Sequence, residues 1–94
     1  MSFRMTVEDV FVIKNRGLVA TGRVESGTLR VGDTVTIDGG QGVRVEAIEK
    51  FRKRLDEATV GENVGVLFKG VDKSQIDRGA VLTSGGGDAS PFIV

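Results

Sequence analysis

Short β-branched runs punctuated by glycine constrain the fold of this chain more than any other feature. Fourteen of its 94 residues are glycine and one is proline. The glycines fall between short β-branched runs, as an all-β chain with many turns requires. Phe3, Met5 and Val7 alternate with Arg4, Thr6 and Glu8, a period of two. Val10–Ile13 is a continuous apolar run, which predicts deeper burial. Lys14-Asn15-Arg16-Gly17 is a hairpin signal, because Asn and Gly tolerate positive φ. Leu18–Glu25 reads as the return strand and Thr34–Ile37 as the next. Asp38–Gly42 reads as a loop tip. Val43–Lys53 reads as a long strand that bends where Ala47 and Ile48 bring apolar residues together. Leu55–Thr59 reads as a connection, Val64–Lys69 as a strand, Val71–Asp77 as one helical turn capped by Asp72, and Ala80–Thr83 as a last strand. Turn signals at intervals of about 8–12 residues predict an all-β sandwich or barrel. A closed antiparallel β-barrel is the favoured form, because closure removes strand edges. Residues 1–84 are expected to form the domain, with 85–94 a Gly-rich tail ending in the apolar Phe92-Ile93-Val94.

Composition narrows the chemistry. The 13 basic and 13 acidic residues cancel, so no global field draws the chain to nucleic acid or membrane, and any RNA contact must come from a local patch. With no cysteine there is no disulfide or thiolate, and with no histidine the commonest general base is missing. No apolar run approaches ~18 residues, so no membrane span is expected. The N-terminal residues lack the apolar stretch of a signal peptide, and the cytoplasm is the expected compartment. The glycine-rich stretches lack the lysine, hydroxyl and helix of a phosphate-binding loop.

Three places carry candidate chemistry. Glu8 and Asp9 are adjacent acids, and on a regular strand they would point to opposite faces. They read either as an acidic strand end balancing Arg4 or Arg23, or as polar anchors beside a shallow cleft. Lys50-Phe51-Arg52-Lys53-Arg54 sets four cations around one ring, which suits RNA phosphate and sugar as well as it suits an ordinary solvated surface. Asn63 lies in a Gly-rich turn. Its amide can close that turn or recognise a ligand's donors and acceptors.

Several separated blocks resemble the second domain of elongation factor Tu and of related translational GTPases: Glu8-Asp9-Val10-Phe11, residues 17–24, Val31-Gly32-Asp33, Phe51-Arg52-Lys53, residues 61–67, and Arg78-Gly79. The resemblance covers about residues 3–84 and implies an antiparallel β-barrel. It also implies a site for the 3′ aminoacyl-adenosine end of aminoacyl-tRNA. Carried over by motif position, Ile13, Val19, Thr21 and Leu67 would line the adenosine pocket, with Glu49 against the base. Glu8, Asp9, Phe11 and Asn63 would surround the aminoacyl group, and Phe51 and Arg52 would meet the terminal ribose and phosphate. Asn15 stands where the family usually has a smaller turn residue, and the residues after Ser84 do not resemble the family's continuation.

The expectation is therefore a non-catalytic, translation-factor-like binding module with no cofactor or metal. Its partner would be the aminoacyl-tRNA acceptor end, bound weakly by this domain alone. The competing expectation is a protein-interaction scaffold that docks on a GTPase domain, the ribosome or a second copy of itself, by way of Phe92-Ile93-Val94 through strand addition.

Overall fold

The computed structural model describes residues 2–84. The proposed tail and its Phe92-Ile93-Val94 segment lie outside the described residues. Among the described residues ten strands follow one another: β1 Arg4–Ile13, β2 Gly17–Ser26, β3 Thr28–Arg30, β4 Thr34–Ile37, β5 Gly42–Arg44, β6 Ala47–Lys50, β7 Lys53–Leu55, β8 Glu57–Thr59, β9 Asn63–Phe68 and β10 Val81–Thr83. Eight lie in one sheet in the order β5-β4-β10-β1-β2-β9-β6-β7, while β3 and β8 form a separate ribbon. Every pairing is antiparallel. The domain is all-β, as the glycine spacing predicts.

The predicted long strand at 43–53 divides into three. Residues 42–44 pair with β4, and Val45 continues that ladder by donating to Asp33 (2.8 Å) and accepting from Gly32 (2.9 Å). One residue later, the Glu46 amide donates to Leu67 of β9 (2.9 Å), and 47–49 pair with β9. The expected bend is present, and it transfers the chain from one neighbour to another. Ala47 and Ile48 are both buried there. The expected connection at 55–59 instead contributes β7 and β8. Leu55 and Ala58 turn inward on these short strands, and three-residue strands carry too little alternation to stand out in a sequence. No helix forms at 71–77. The Gln75 amide donates to the Asp72 carbonyl (2.9 Å) in a single turn, and the Asp72 amide donates back to Gln75 Oε1 (2.8 Å).

The core is apolar throughout: no polar or charged side chain is buried among the described residues. Its largest members are Phe3, Phe68, Met5, Leu18, Leu29, Ile48, Ile76 and Leu82. Leu29 and Ala58 come from the two-stranded ribbon and Ile76 from the 71–79 loop, so all three units share one interior. The Val10–Ile13 run is not deeply buried, contrary to expectation. Phe11 and Val12 are 50% and 61% exposed, while Val10 packs partly on the core.

A β-bulge turns Phe11 and Ile13 of this run outward. Val7 pairs with Gly22 but Asp9 pairs with Thr21, which leaves Glu8 without a partner and shifts the alternation by one. Val7 before it and Val10 after it both face the core. Both acids between them therefore fall on the outward side, which corrects the expectation of opposite faces. Phe11 and Ile13 share the outward phase.

The bulge is matched by Gly22. A Cβ there would sit 2.4 Å from the Thr6 carbonyl oxygen and 3.1 Å from Met5 Cγ. Gly22→Ala should lower the urea unfolding free energy by about 2 kcal/mol or more, the range for overpacking a buried site against backbone. A loss under about 0.5 kcal/mol would show that the β1–β2 pairing relaxes freely.

Candidate functional site

Register brings the dispersed candidate residues together. Directly opposed residues of an antiparallel ladder share a face. The pairings Phe11↔Val19, Val19↔Leu67 and Leu67↔Ala47 form one row across β1, β2, β9 and β6. The pairings Asp9↔Thr21, Thr21↔Gly65 and Gly65↔Glu49 form the adjacent row. Ile13, opposite Gly17, lies beyond the first row near the β1–β2 turn. Thus Asp9, Phe11, Ile13, Val19, Thr21, Glu49 and Leu67 occupy one outward patch. Four strands span about 14 Å at the usual inter-strand spacing.

Gly65 sits at the centre of this patch and forms its floor. A Cβ at that position would stand 3.0 Å from Val19 Cγ1 and 3.7 Å from Thr21 Cγ2. The missing side chain opens a depression walled by Val19 and Leu67 on one row and by Thr21 and Glu49 on the other. Sequence reading did not single out Gly65 as a site residue. Its signal was a glycine inside an apolar strand, which marks a close approach of a ligand or another backbone.

The remaining candidates lie at the far end of the same face. Asn63 pairs with Arg23 at the start of β9 and is exposed. Continuing the β6–β9 register brings Phe51 level with it. Phe51 and Arg52 are the two central residues of the β6–β7 hairpin, whose Lys50 and Lys53 are paired. Both adopt left-handed conformations, with φ of 50° and 67°. A two-residue hairpin with both φ values positive normally carries Asn-Gly, so a Phe-Arg pair stores strain. Phe51 is 85% exposed, and the Lys50 ammonium lies 5.7 Å from its ring centroid. Glu8, the bulge residue, is exposed beside Asp9.

Ion pairs hold the margins. Asp9 accepts from Arg78 Nη2 (3.4 Å) and from the Val10 amide (3.3 Å). The expected balancing of the acids by Arg4 or Arg23 is not what forms: Arg4 pairs with Glu25 at 2.9 Å. The reason is a second irregularity, between Arg4 and Met5, which turns the Glu25 carboxylate back to the Arg4 Nε and the Thr6 amide. Glu49 accepts from Arg16 Nη2 at 3.2 Å, so the β1–β2 turn is tied to β6 beside the Val19–Leu67 row. Both partners are partly exposed, and such a pair contributes only about 0–1 kcal/mol.

Glu62 organises the turn that presents Asn63. Its carboxylate accepts from the Thr59 amide (2.8 Å), the Thr59 hydroxyl (3.4 Å) and Lys50 Nζ (3.3 Å). The Glu62 amide donates to the Thr59 carbonyl (3.2 Å), and Gly61, at φ 92°, takes the position that needs positive φ. The Thr59 amide first, and then Lys50, hold the Glu62 carboxyl below its ordinary value of 4.5. The Glu25 carboxyl is lowered in the same way, by Thr6 first and then by Arg4.

Two outcomes follow. Replacing Phe51-Arg52 by Asn-Gly should stabilise the domain by about 1 kcal/mol through release of backbone strain, read as a higher urea midpoint with an unchanged slope. A lower midpoint would mean that the ring and guanidinium stabilise the tip more than their conformation costs. For Glu62 the folded pKa is depressed, so its contribution is complete above the ordinary value and is lost as pH falls through the folded value. Urea midpoints of Glu62→Gln should therefore lie below wild type at pH 7 and approach it as pH falls below the ordinary carboxyl value of 4.5. A gap that is constant with pH would exclude this linkage.

The family model described as Elongation factor Tu domain 2 matches residues 17–83, from the start of β2 to the end of β10. The match covers most of the chain and all of the strands except β1. The chain belongs to the elongation factor Tu domain 2 family.

Proposed function

We propose that this domain is a non-catalytic binding module for the 3′ aminoacyl-adenosine end of aminoacyl-tRNA. The observation that carries the reading is the convergence of Phe11, Ile13, Val19, Thr21, Glu49 and Leu67 around the Gly65 depression by strand register. A flat base needs an apolar bed from which water is expelled, and Val19 and Leu67 supply one. Glu49 offers a carboxylate at the edge of that bed once Arg16 swings aside, an exchange that costs little for a partly exposed pair.

The aminoacyl group would lie toward Asp9, Glu8, Phe11 and Asn63. Two outward acids favour an α-ammonium, and the Asn63 amide can donate to an ester oxygen or accept from the ammonium. At the hairpin tip, Phe51 would pack on the ribose and Arg52 would neutralise the terminal phosphate. These groups read the constant parts of an aminoacyl ester and leave its side chain unread, as a general carrier requires. A translational GTPase domain or the ribosome would complete the surface, in the cytoplasm.

We read the eight-stranded sheet as a barrel curled on itself. The continuous stretch 42–50 supports this, since it bonds to β4 through its first half and to β9 through its second. That curvature would turn the β1-β2-β9-β6 face outward as one convex wall.

Amide spectra of labelled protein, titrated with a non-hydrolysable aminoacyl-adenosine mimic and with the uncharged end, test the reading. Shifts at residues 8–13, 19–21, 49–52 and 63–67 should be stronger for the charged end. Affinity should be near millimolar, on the order of −4 kcal/mol. Asn63→Ala should remove the preference for the charged end and leave the adenosine shifts in place. Equal response to both ends in the wild type would overturn aminoacyl recognition.

A further inference from the structure

A cavity of about 300 Å³ adjoins the Gly65 depression on its Ile13 side, lined by Asn15, Arg16, Glu46, Ala47, Arg54, Leu67 and Lys69. Ala47 and Leu67, paired neighbours on β6 and β9 and both buried, give its base a small apolar part, while most of its lining is polar. Its rim is cationic, and the three cations come from three separate elements. Arg16 comes from the β1–β2 turn. Arg54 stands opposite Glu49 in the β6–β7 ladder. Lys69 follows β9 and, by extension of the β2–β9 register, lies level with Gly17. Arg54 and Lys69 form no ion pair among the described residues, and Arg16 holds only the partly exposed Glu49. One acid of the lining, Glu46, opposes them. The turn residue Asn15, at φ 66°, carries the rim over the floor.

Three positive groups stand against two carboxylates, Glu46 and the Glu49 that pairs with Arg16, which leaves one net positive charge at the rim. We propose that this cavity is an anion subsite, which takes a phosphate group of a nucleotide or RNA chain lying against the Ala47–Leu67 floor. The inference deepens the reading of this face as an RNA-end site, and it does not depend on recognition of the aminoacyl group. The phosphate would lie at the opposite end of the patch from Arg52. The face would then hold its ligand by charge at both ends and by apolar contact between them. Guanidinium groups suit this role because their fork of donors matches phosphate oxygens.

The test uses pyrophosphate alone as the first probe and compares adenosine 5′-monophosphate with adenosine as the second. Amide shifts with pyrophosphate should centre on residues 15–17, 46–47, 54 and 67–69. They should weaken several-fold between 20 and 200 mM salt, as expected for partly exposed charges. Arg54→Gln and Lys69→Gln should each weaken binding about five-fold or more. Glu46→Gln should tighten it two- to three-fold, a change of opposite sign that mere loss of folding cannot produce. Arg44→Gln, an exposed cation on β5, is the control and should change nothing. The nucleotide should bind more tightly than the nucleoside, with its added shifts in this cavity. Shifts spread evenly over all exposed cations, or no response to Glu46→Gln, would overturn the subsite. Because pyrophosphate carries no aminoacyl or adenosine group, this outcome is separable from failure of the aminoacyl reading.

Discussion

Pairing between β1 and β2 sets the phase of the whole outer face, and one unpaired residue within it decides which side chains solvent meets. Before Glu8, the odd-numbered positions of β1 fill the core. After it, Val10 takes the inward place, and Asp9, Phe11 and Ile13 turn out. A one-residue slip in a strand exchanges its two faces. Without the bulge, Phe11 and Ile13 would crowd a core already filled by Leu18 and Phe68, and the apolar wall on the outside would be lost. Gly22 permits the close approach of strands at this point, and Gly65, on the next strand β9, makes room for the Val19 and Thr21 side chains. Backbone geometry, more than any polar interaction, creates the site.

The fold class was legible because glycine and β-branched runs alternate so regularly. The β1–β2 hairpin was legible from Asn15 and Gly17, both of which take positive φ in the structure. What could not be read was phase. The adjacent acids Glu8 and Asp9 interrupt the alternation, but the continuous apolar run that follows does not show which of its residues face inward. The same limit hid β7 and β8, whose three residues each are too few to show a period. The site residues came from the family resemblance. Register shows only that most of them share one face, a relation no local pattern carries. Gly65 and Arg16 escaped notice for different reasons: the first acts by what it lacks, and the second acts through a partner 33 residues away.

The hairpin tip illustrates how a rigid frame supports a strained feature. Phe51 and Arg52 occupy conformations that bulky residues rarely adopt. The Lys50–Glu62 contact and the ladder to β9 hold the strands beneath them. Glu62 in turn closes the turn that ends at Asn63, so the aromatic tip and the amide are fixed by one carboxylate. Strain of this kind persists where surrounding structure over-determines it, and it concentrates at functional positions.

The two ends of the described chain are bonded to each other. The Phe3 amide donates to Ser84 Oγ (3.0 Å), the Ser84 amide donates to the Phe3 carbonyl (3.2 Å), and Arg4 pairs with Thr83 directly behind them. A pull applied through flanking polypeptide would therefore open β1 from β10 one bond at a time, as a zipper opens, instead of shearing all their bonds together. Tension would release this domain at low force, beginning at the seam and reaching the Gly65 wall last.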